Sequence, residues 1–118
     1  RVLVVDDSIT TRTLEKSILE AHGFQVNVSV DGLDALRRLR LDPVDLVVAD
    51  IQMPRMDGFV LLKELKRDKR LSQIPVILVT SRDSADDRRL GLELGAEAYI
   101  VKQKFDQKEL LETIRQLI

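Results

Sequence analysis

Short apolar runs alternate along the chain with longer segments in which an apolar residue recurs at every third or fourth position. The runs are rich in β-branched residues and are short enough for buried strands, whereas the longer segments have the spacing of helices that bury one face. The pattern therefore predicts five strands, at Val2–Val5, Val26–Val30, Leu46–Ala49, Val76–Val79 and Ala98–Val101.

A helix is predicted after each strand. In the first helix we expect Leu14, Ile18 and Ala21 to form the buried stripe, and in the fourth helix Leu90 and Leu94. Serine and aspartate, which accept hydrogen bonds from free backbone N–H groups at helix starts, precede the five helical segments. The expected N-caps are Ser8, Asp31, Asp57, Ser84 and Asp106.

The alternation of strands and helices predicts the fold class. Five strand–helix units within 118 residues favour one α/β domain whose parallel sheet is covered by helices on both faces. Right-handed crossovers make such a sheet doubly wound. We predict a flavodoxin-like, doubly wound five-stranded parallel sheet of order 2-1-3-4-5 with five helices, in which ligands bind beyond the carboxyl ends of the strands.

Polar residues follow four of the predicted strands. Strand 1 leads into Asp6 and Asp7, strand 3 into Asp50, strand 4 into Thr80 and strand 5 into Lys102. If strands 1 and 3 are neighbours, the three carboxylates converge, and two like charges about 4 Å apart repel by roughly 4 kcal/mol at an effective dielectric of about 20. Such a cluster takes up protons or holds a cation, and hard oxygen ligands without His or Cys point to Mg²⁺.

A carboxylate beside a divalent cation, a hydroxyl and a lysine is a candidate acceptor for a phosphoryl group. Aspartate itself can be the nucleophile and form an acyl phosphate, while cations neutralise the phosphoryl oxygens. Each residue alone also has a structural interpretation, since Asp7 can cap a helix, Asp50 can cap a turn and Lys102 can be a solvated surface residue. Their joint position at the strand ends favours the phosphoacceptor interpretation.

Three separated motifs resemble the receiver domain of two-component response regulators, and the resemblance covers essentially the whole chain. The motifs are Val-Val-Asp-Asp-Ser at 4–8, Asp-Ile-Gln-Met-Pro-Arg-Met-Asp-Gly at 50–58, and Thr-Ser at 80–81 with Tyr-Ile-Val-Lys at 99–102. The resemblance implies a role for each of seven residues: Asp50 as phosphoacceptor; Asp7, Asp50 and the main-chain carbonyl of Gln52 as direct Mg²⁺ ligands, with Asp6 acting mainly through water; Lys102 as the partner of the phosphoryl group; Thr80 and Tyr99 as switch residues.

The same resemblance implies a signalling cycle. The domain accepts a phosphoryl group from the phosphohistidine of a histidine kinase or phosphotransfer domain and later loses it to water, catalysing both steps at Asp50. Thr80 is expected to approach the acyl phosphate and Tyr99 to swing inward, so that the surface of helix 4, strand 5 and helix 5 changes and a downstream signalling protein recognises it. Kinase activity is expected only if the parent chain carries a histidine kinase.

Position 103 departs from the receiver pattern. The family usually has a proline in a cis peptide after the lysine, whereas this chain has Gln103. Because a non-proline cis bond costs about 2.5–4 kcal/mol, we expect a trans bond or a mobile loop at 103–105.

The stretches at 7–12 and 102–107 are similar to receiver domains at the C-terminus of hybrid chemotaxis-type histidine kinases. Arg82 and Gln52 are expected to tune hydrolysis by controlling the access of water.

Composition limits the partners and the location. With 19 basic and 20 acidic residues and a net charge of −1, the chain lacks the basic surplus of a nucleic-acid-binding module, so we expect no direct nucleic-acid partner. It has no cysteine and no apolar run near the roughly 20 residues of a membrane span. We therefore expect a cytoplasmic domain without membrane insertion. Because Arg1 leads directly into a strand, we expect residues 1–118 to be a receiver domain excised from a longer chain.

Three alternative functions have less support. A binding-only pseudo-receiver would dock partners with the same fold, and the intact acidic residues and Lys102 argue against it. An aspartyl phosphohydrolase needs a carboxylate two residues after the nucleophile, whereas this position is Gln52, whose amide does not transfer protons. Nucleotide binding has the least support, because neither a P-loop nor a GxGxxG motif occurs.

Overall fold

A computed structural model describes residues 1–81, 84–102 and 107–118. Strands and helices alternate along these ranges, as the sequence predicted. The strands are β1 (Val2–Val5), β2 (Val26–Ser29), β3 (Leu46–Ala49), β4 (Val76–Thr80) and β5 (Ala98–Val101). The helices are α1 (Ile9–Ala21), α2 (Gly32–Leu41), α3 (Gly58–Arg67), α4 (Ala85–Glu93) and α5 (Gln107–Leu117).

All five strands form one parallel sheet in the order β2-β1-β3-β4-β5, which confirms the predicted topology. Val5 at the end of β1 pairs with Ser29 of β2 on one side and with Ala49 of β3 on the other. Beyond β3 in the strand order, Thr80 of β4 pairs with Val101 of β5. The strand register therefore brings the residues that follow β1, β3, β4 and β5 to one edge of the sheet.

A hydrophobic layer covers each face of the sheet. On one face, α2 and α3 contribute buried leucines such as Leu39 and Leu62. On the other face, α1 and α5 contribute Leu19 and Leu110. Because successive strand residues point to opposite faces, β1 supplies apolar side chains to both layers and is completely buried. This burial fixes the strand positions, and with them the position of the residues at the strand ends.

Four of the five predicted N-caps are confirmed. Ser8, Asp31, Asp57 and Ser84 each accept a hydrogen bond from a backbone N–H group in the first turn of the following helix. The fifth, Asp106, lies outside the described residues. The peptide bond before Gln103, the loop at 103–105 and Arg82 also lie outside them, so the expectations for these positions stay predictions.

The predicted core face of α1 is confirmed at Ile18 and wrong at its other two positions. Leu14 and Ala21 are exposed, and the buried residues of the helix are Glu15, Ile18 and Leu19. The observed face has the same helical period, but it is displaced so that Leu19, which is fully buried, packs against the sheet. The consequence is a carboxyl group, that of Glu15, on the face of the helix that meets the core.

Two further expectations need correction. In α4, Leu90 is exposed and Leu94, which follows the helix, is only half-buried, because Gly91 is the residue that α4 places against the sheet. β2 ends at Ser29, one residue earlier than predicted, and Val30 is exposed.

Within the described ranges, no helix has the length and apolar character needed to cross a membrane.

Candidate active site

Asp6, Asp7 and Asp50 meet at the carboxyl edge of the sheet, as predicted. One carboxylate oxygen from each residue lies within 4.8 Å of the other two. Asp6 and Asp50 are buried, whereas Asp7 is exposed. The convergence follows from the register, because Asp6 directly follows β1, Asp50 directly follows β3, and these neighbouring strands end at the same level.

Lys102 contacts two of the three carboxylates. Its Nζ lies 2.9 Å from Asp6 Oδ2 and 3.1 Å from Asp50 Oδ2. Burial of the ammonium favours its neutral form and so lowers the pKa of Lys102. The hydrogen bonds and the attraction from the two aspartates outweigh this effect, and the pKa of Lys102 is raised. Lys102 is therefore a cation held directly beside the predicted phosphoacceptor.

Backbone N–H groups orient the two buried carboxylates. Asp6 Oδ1 accepts a hydrogen bond of 2.9 Å from Ser8 N–H, and Asp50 Oδ1 accepts one of 2.7 Å from Ile51 N–H. In each residue the other oxygen, Oδ2, faces Lys102. Burial raises the pKa of Asp6, and the hydrogen bonds from Ser8 and Lys102 offset part of this rise.

Thr80 ends β4 and Gln52 follows Asp50 by two residues, so both belong to segments at the carboxyl edge of the sheet. Thr80 is completely buried at the end of β4, the strand next to β3. The side chain of Gln52 is exposed, and its amide oxygen lies 3.5 Å from Ser81 Oγ, so the segments that follow β3 and β4 approach each other here. The role of the Gln52 carbonyl as a metal ligand stays a prediction.

Tyr99 lies on β5, and its side chain is buried against α4. A Cβ atom at Gly91 would lie only 3.2 Å from Tyr99 Cδ2, so a larger residue at position 91 would crowd the ring. Arg88 of α4 also holds the tyrosine: its guanidinium carbon lies 5.0 Å from the ring centroid and its Nη1 donates a 3.2 Å hydrogen bond to the Tyr99 carbonyl. The side chain of Tyr99 is buried in this structure, and its coupling to Asp50 stays a prediction.

Glu15 is a buried residue at this site that the sequence pattern did not indicate. This residue is 2 % exposed and lines a cavity of about 190 Å³ together with Thr11, Leu14, Val79 and Lys102. Burial, reinforced by the negative charge of Asp6, raises the pKa of Glu15 to about 8. The position of Glu15 three residues before Ile18 and four before Leu19 is compatible with a buried face, but a glutamate in a helix is normally solvated.

The chemistry of this cluster fits Mg²⁺. Carboxylate oxygens are the ligands that Mg²⁺ prefers, and the three groups are close enough for one ion to contact oxygens of more than one residue. Asp7 is exposed, so the cluster opens to solvent, which suits an ion that keeps several water molecules. The described residues contribute no nitrogen or sulfur ligand to it.

Comparison with protein families identifies the chain. A model of the response regulator receiver domain matches residues 2–115. The chain belongs to this family. Response regulator receiver domains are phosphorylated on an aspartate in two-component signalling, which is the function that the sequence motifs predicted.

The curated relatives of this receiver domain are longer proteins. The chain is 39 % identical to the gliding motility regulatory protein of Myxococcus xanthus over 117 residues, which are 99 % of the chain and 15 % of that protein. It is 42 % identical over 118 residues to the transcriptional regulatory protein CpxR of Escherichia coli, covering 100 % of the chain and 49 % of that protein. The receiver domain thus spans about half or less of the length of these relatives.

Solved receiver structures have the same fold. The chemotaxis protein CheY4 of Vibrio cholerae superposes with a TM-score of 0.90 at 30 % identity, covering 99 % of this chain and 97 % of the other. The signal receiver domain of a signal transduction histidine kinase from Syntrophus aciditrophicus gives a TM-score of 0.91 at 37 % identity, with coverage of 98 % and 87 %. These similarities confirm the predicted flavodoxin-like topology for this receiver domain.

Proposed function

We propose that Asp50 is the phosphoacceptor of this receiver domain and that phosphorylation depends on Mg²⁺. One observation carries the proposal: the ammonium of Lys102 lies 3.1 Å from Asp50 Oδ2, and the carboxylates of Asp6 and Asp7 lie beside the same residue. A buried aspartate flanked by a fixed cation and by two potential metal ligands has the charge arrangement that phosphoryl transfer requires.

In the proposed reaction, a carboxylate oxygen of Asp50 attacks the phosphorus atom of a phosphohistidine. An O–P bond forms, the P–N bond breaks, and the imidazole leaves and takes up a proton. The hydrogen bond from Ile51 N–H and the contact with Lys102 fix the orientation of the Asp50 carboxylate before the reaction. Holding the nucleophile in one orientation lowers the entropic part of the barrier.

The remaining groups neutralise the phosphoryl oxygens. Asp7, Asp50 and the Gln52 carbonyl would hold Mg²⁺ directly, and Asp6 would act mainly through water. When bound, the ion supplies positive charge to the phosphoryl group. Lys102 provides a second positive charge, and the buried hydroxyl of Thr80 is the proposed hydrogen-bond donor to the acyl phosphate. Water returns Asp50 to its free form by attacking the same phosphorus atom, with release of inorganic phosphate.

The proposed output is a change at the surface of α4, β5 and α5. Movement of Thr80 towards the acyl phosphate alters the packing around Tyr99, which lies on β5 next to α4. A downstream signalling protein would recognise this altered surface. The parent protein is proposed to be a hybrid histidine kinase, and the 37 % identity to a receiver domain of a Syntrophus aciditrophicus histidine kinase supports that placement.

Binding of beryllofluoride, a stable mimic of an aspartyl phosphate, tests the proposal. Fluorine NMR of the chain with beryllium, fluoride and Mg²⁺ should show protein-bound fluoride resonances that disappear without Mg²⁺. Asp50→Asn should abolish them, whereas Lys16→Met, which removes an exposed lysine paired with Glu20 at 2.8 Å, should leave them unchanged. Absence of bound fluoride in the wild-type chain would favour a binding-only module instead.

A further inference from the structure

An ion pair joins the start of α2 to the loop between β3 and α3. Arg55 Nε lies 2.7 Å from Asp31 Oδ2. The side chain of Asp31 is 4 % exposed, whereas that of Arg55 is about half exposed. The two residues are 24 positions apart in the sequence, so this contact ties together two separate segments at the edge of the sheet that carries the active site.

Arg55 adopts an unusual backbone conformation. Its φ angle is 64°, and among the described residues it is the only non-glycine with a positive φ. Met56 N–H donates a 2.7 Å hydrogen bond to the Pro54 carbonyl, so Arg55 is the central residue of a tight γ-turn. A γ-turn with positive φ is rare and strained, and it persists only where surrounding contacts fix it.

A second contact fixes the same turn. Gly32 N–H, in the first turn of α2, donates a 3.1 Å hydrogen bond to the Met56 carbonyl. A Cβ atom at Gly32 would lie 2.5 Å from this carbonyl oxygen, so only glycine allows the two segments to approach this closely. The γ-turn is thus held on both sides, by Asp31 through Arg55 and by Gly32 through Met56.

Asp31 is anchored independently of Arg55. Its Oδ1 accepts a 2.8 Å hydrogen bond from Asp34 N–H as the N-cap of α2. Burial alone would raise the pKa of Asp31, but the hydrogen bonds from Asp34 and Arg55 outweigh it and hold the pKa below its usual value. Asp31 is therefore an anion fixed by its role as the N-cap of α2, and Arg55 of the loop is anchored to it.

The other end of the loop packs against the backbone of Asp50 and Ile51. Gly58 N–H donates a 2.8 Å hydrogen bond to the Ile51 carbonyl, and a Cβ atom at Gly58 would overlap the Asp50 carbonyl oxygen. The segment 51–57, which includes Gln52, is consequently held between the α2 start and Asp50. Arg55 and Gln52 therefore lie in one short segment that is held at both ends.

We propose that Arg55 and Asp31 are positioning residues for the metal site. They hold the γ-turn so that the Gln52 carbonyl is in place for Mg²⁺ before the ion binds. Neither the Arg55 nor the Asp31 side chain is itself a ligand of the ion. This inference rests on the proposed function, because it assumes that the cluster of Asp6, Asp7 and Asp50 binds Mg²⁺. Without the ion pair, the loop has to be ordered when the ion binds, and the affinity falls.

Calorimetric titration with Mg²⁺ tests this proposal in three variants. Arg55→Asn removes the charge and keeps a residue that tolerates positive φ. Asp31→Asn removes the charge and keeps the Oδ1 acceptor that caps α2. Each change should weaken Mg²⁺ binding by about tenfold, as is typical for residues that support metal ligands. The double variant should bind about as weakly as either single variant, because both remove the same ion pair.

Arg38→Asn is the matched control. It removes another arginine–aspartate pair of α2, between Arg38 Nε and Asp34 Oδ2 at 3.3 Å, that does not contact the loop. Its Mg²⁺ affinity should equal that of the wild-type chain. Amide hydrogen exchange at Met56 without metal gives a second readout, and Arg55→Asn should accelerate it because the γ-turn opens more often.

The outcomes separate this inference from the proposed function. If the wild-type chain binds Mg²⁺ and both Arg55→Asn and Asp31→Asn bind it equally well, the inference is wrong and the proposed function stands. Fully additive losses in the double variant would also overturn the inference, since they would show that the two residues act separately. A wild-type chain that does not bind Mg²⁺ would overturn both.

Discussion

Lys102 Nζ lies 3.1 Å from Asp50 Oδ2, although the two residues are 52 positions apart in the chain. The sheet order explains the contact, because Asp50 follows β3, Lys102 follows β5, and both strands end at the same edge. The ammonium therefore lies beside the place where the proposed phosphoryl group would be transferred. A fixed cation at that point stabilises the charge that develops during transfer without having to reorganise.

Removing the ammonium tests this relationship. Lys102→Met should slow phosphorylation of Asp50 by a small phosphodonor by about 10²–10³-fold, the usual cost of losing one preorganised group that stabilises developing charge. The rate is measured from the increase in intact mass with time, in the presence of Mg²⁺.

Lys66→Met is a suitable control for that measurement. Lys66 has nearly the same side-chain exposure as Lys102, 26 % against 24 %, and pairs with Glu97 at 3.3 Å. Glu97 accepts a hydrogen bond from Val76 N–H, so this pair lies at the start of β4, away from the carboxyl edge. The control should phosphorylate at the wild-type rate, and an equal loss in both variants would contradict the role of Lys102.

The buried carboxyl of Glu15 should make stability depend on pH. Its pKa is about 8 in the folded chain, against 4.5 as its ordinary value, so the folded state retains a proton that the unfolded state releases between these values. Stability is therefore lost as the pH rises from about 4.5 to about 8. Glu15→Gln removes this dependence. At pH 9 the variant should be more stable than the wild-type chain by a few kcal/mol, because each pH unit between the two pKa values contributes about 1.4 kcal/mol. At pH 4 the difference in stability should be much smaller.

Urea denaturation of the two chains at a series of pH values measures this difference. Glu20→Gln is the control, because Glu20 lies on the exposed side of α1 and pairs with Lys16 at 2.8 Å. Its effect should be small at every pH. If the free-energy difference between Glu15→Gln and the wild-type chain does not change with pH, Glu15 is not the buried acid described above.

Arg88 should hold the Tyr99 ring in its buried position. Arg88→Ala removes the guanidinium that lies 5.0 Å from the ring centroid, together with the hydrogen bond to the Tyr99 carbonyl. The substitution should lower the free energy of unfolding by about 0.5–1 kcal/mol. It should also increase the quenching of tyrosine fluorescence by iodide, because the ring becomes more accessible. Tyr99 is the only tyrosine and the chain has no tryptophan, so the emission reports on this residue alone.

Arg89→Ala controls for a general loss of charge on α4. Arg89 is exposed and pairs with Asp86 at 2.9 Å within the same helix. This variant should leave the iodide quenching of Tyr99 unchanged. Equal quenching in the Arg88→Ala and wild-type chains would show that the arginine does not restrain the ring.

The strands and the acidic cluster were predictable because each depends on short, local sequence features. Val2–Val5 is apolar at every position, and Asp6 and Asp7 follow it directly. The rule that parallel strands end at one edge of the sheet then brings Asp50 to the same place. No long-range side-chain contact has to be known for this part of the site.

The remaining parts depend on contacts between distant segments. The sequence pattern predicted Leu14 on the core face of α1, whereas the structure places Glu15 there beside Leu19. The pair of Arg55 with Asp31 depends on a γ-turn that no simple pattern indicates. Such features follow from the assembled tertiary structure, whereas periodicity describes one element at a time.

Intact-mass measurement of the wild-type chain and two asparagine variants tests the central claim most directly. With Mg²⁺ and a small phosphodonor, the wild-type chain should gain one phosphoryl group. Asp57→Asn should gain it as well, because asparagine keeps the acceptor that caps α3 through the 2.9 Å hydrogen bond from Val60 N–H. Asp50→Asn should gain none. Equal phosphorylation of Asp50→Asn and the wild-type chain would contradict the account.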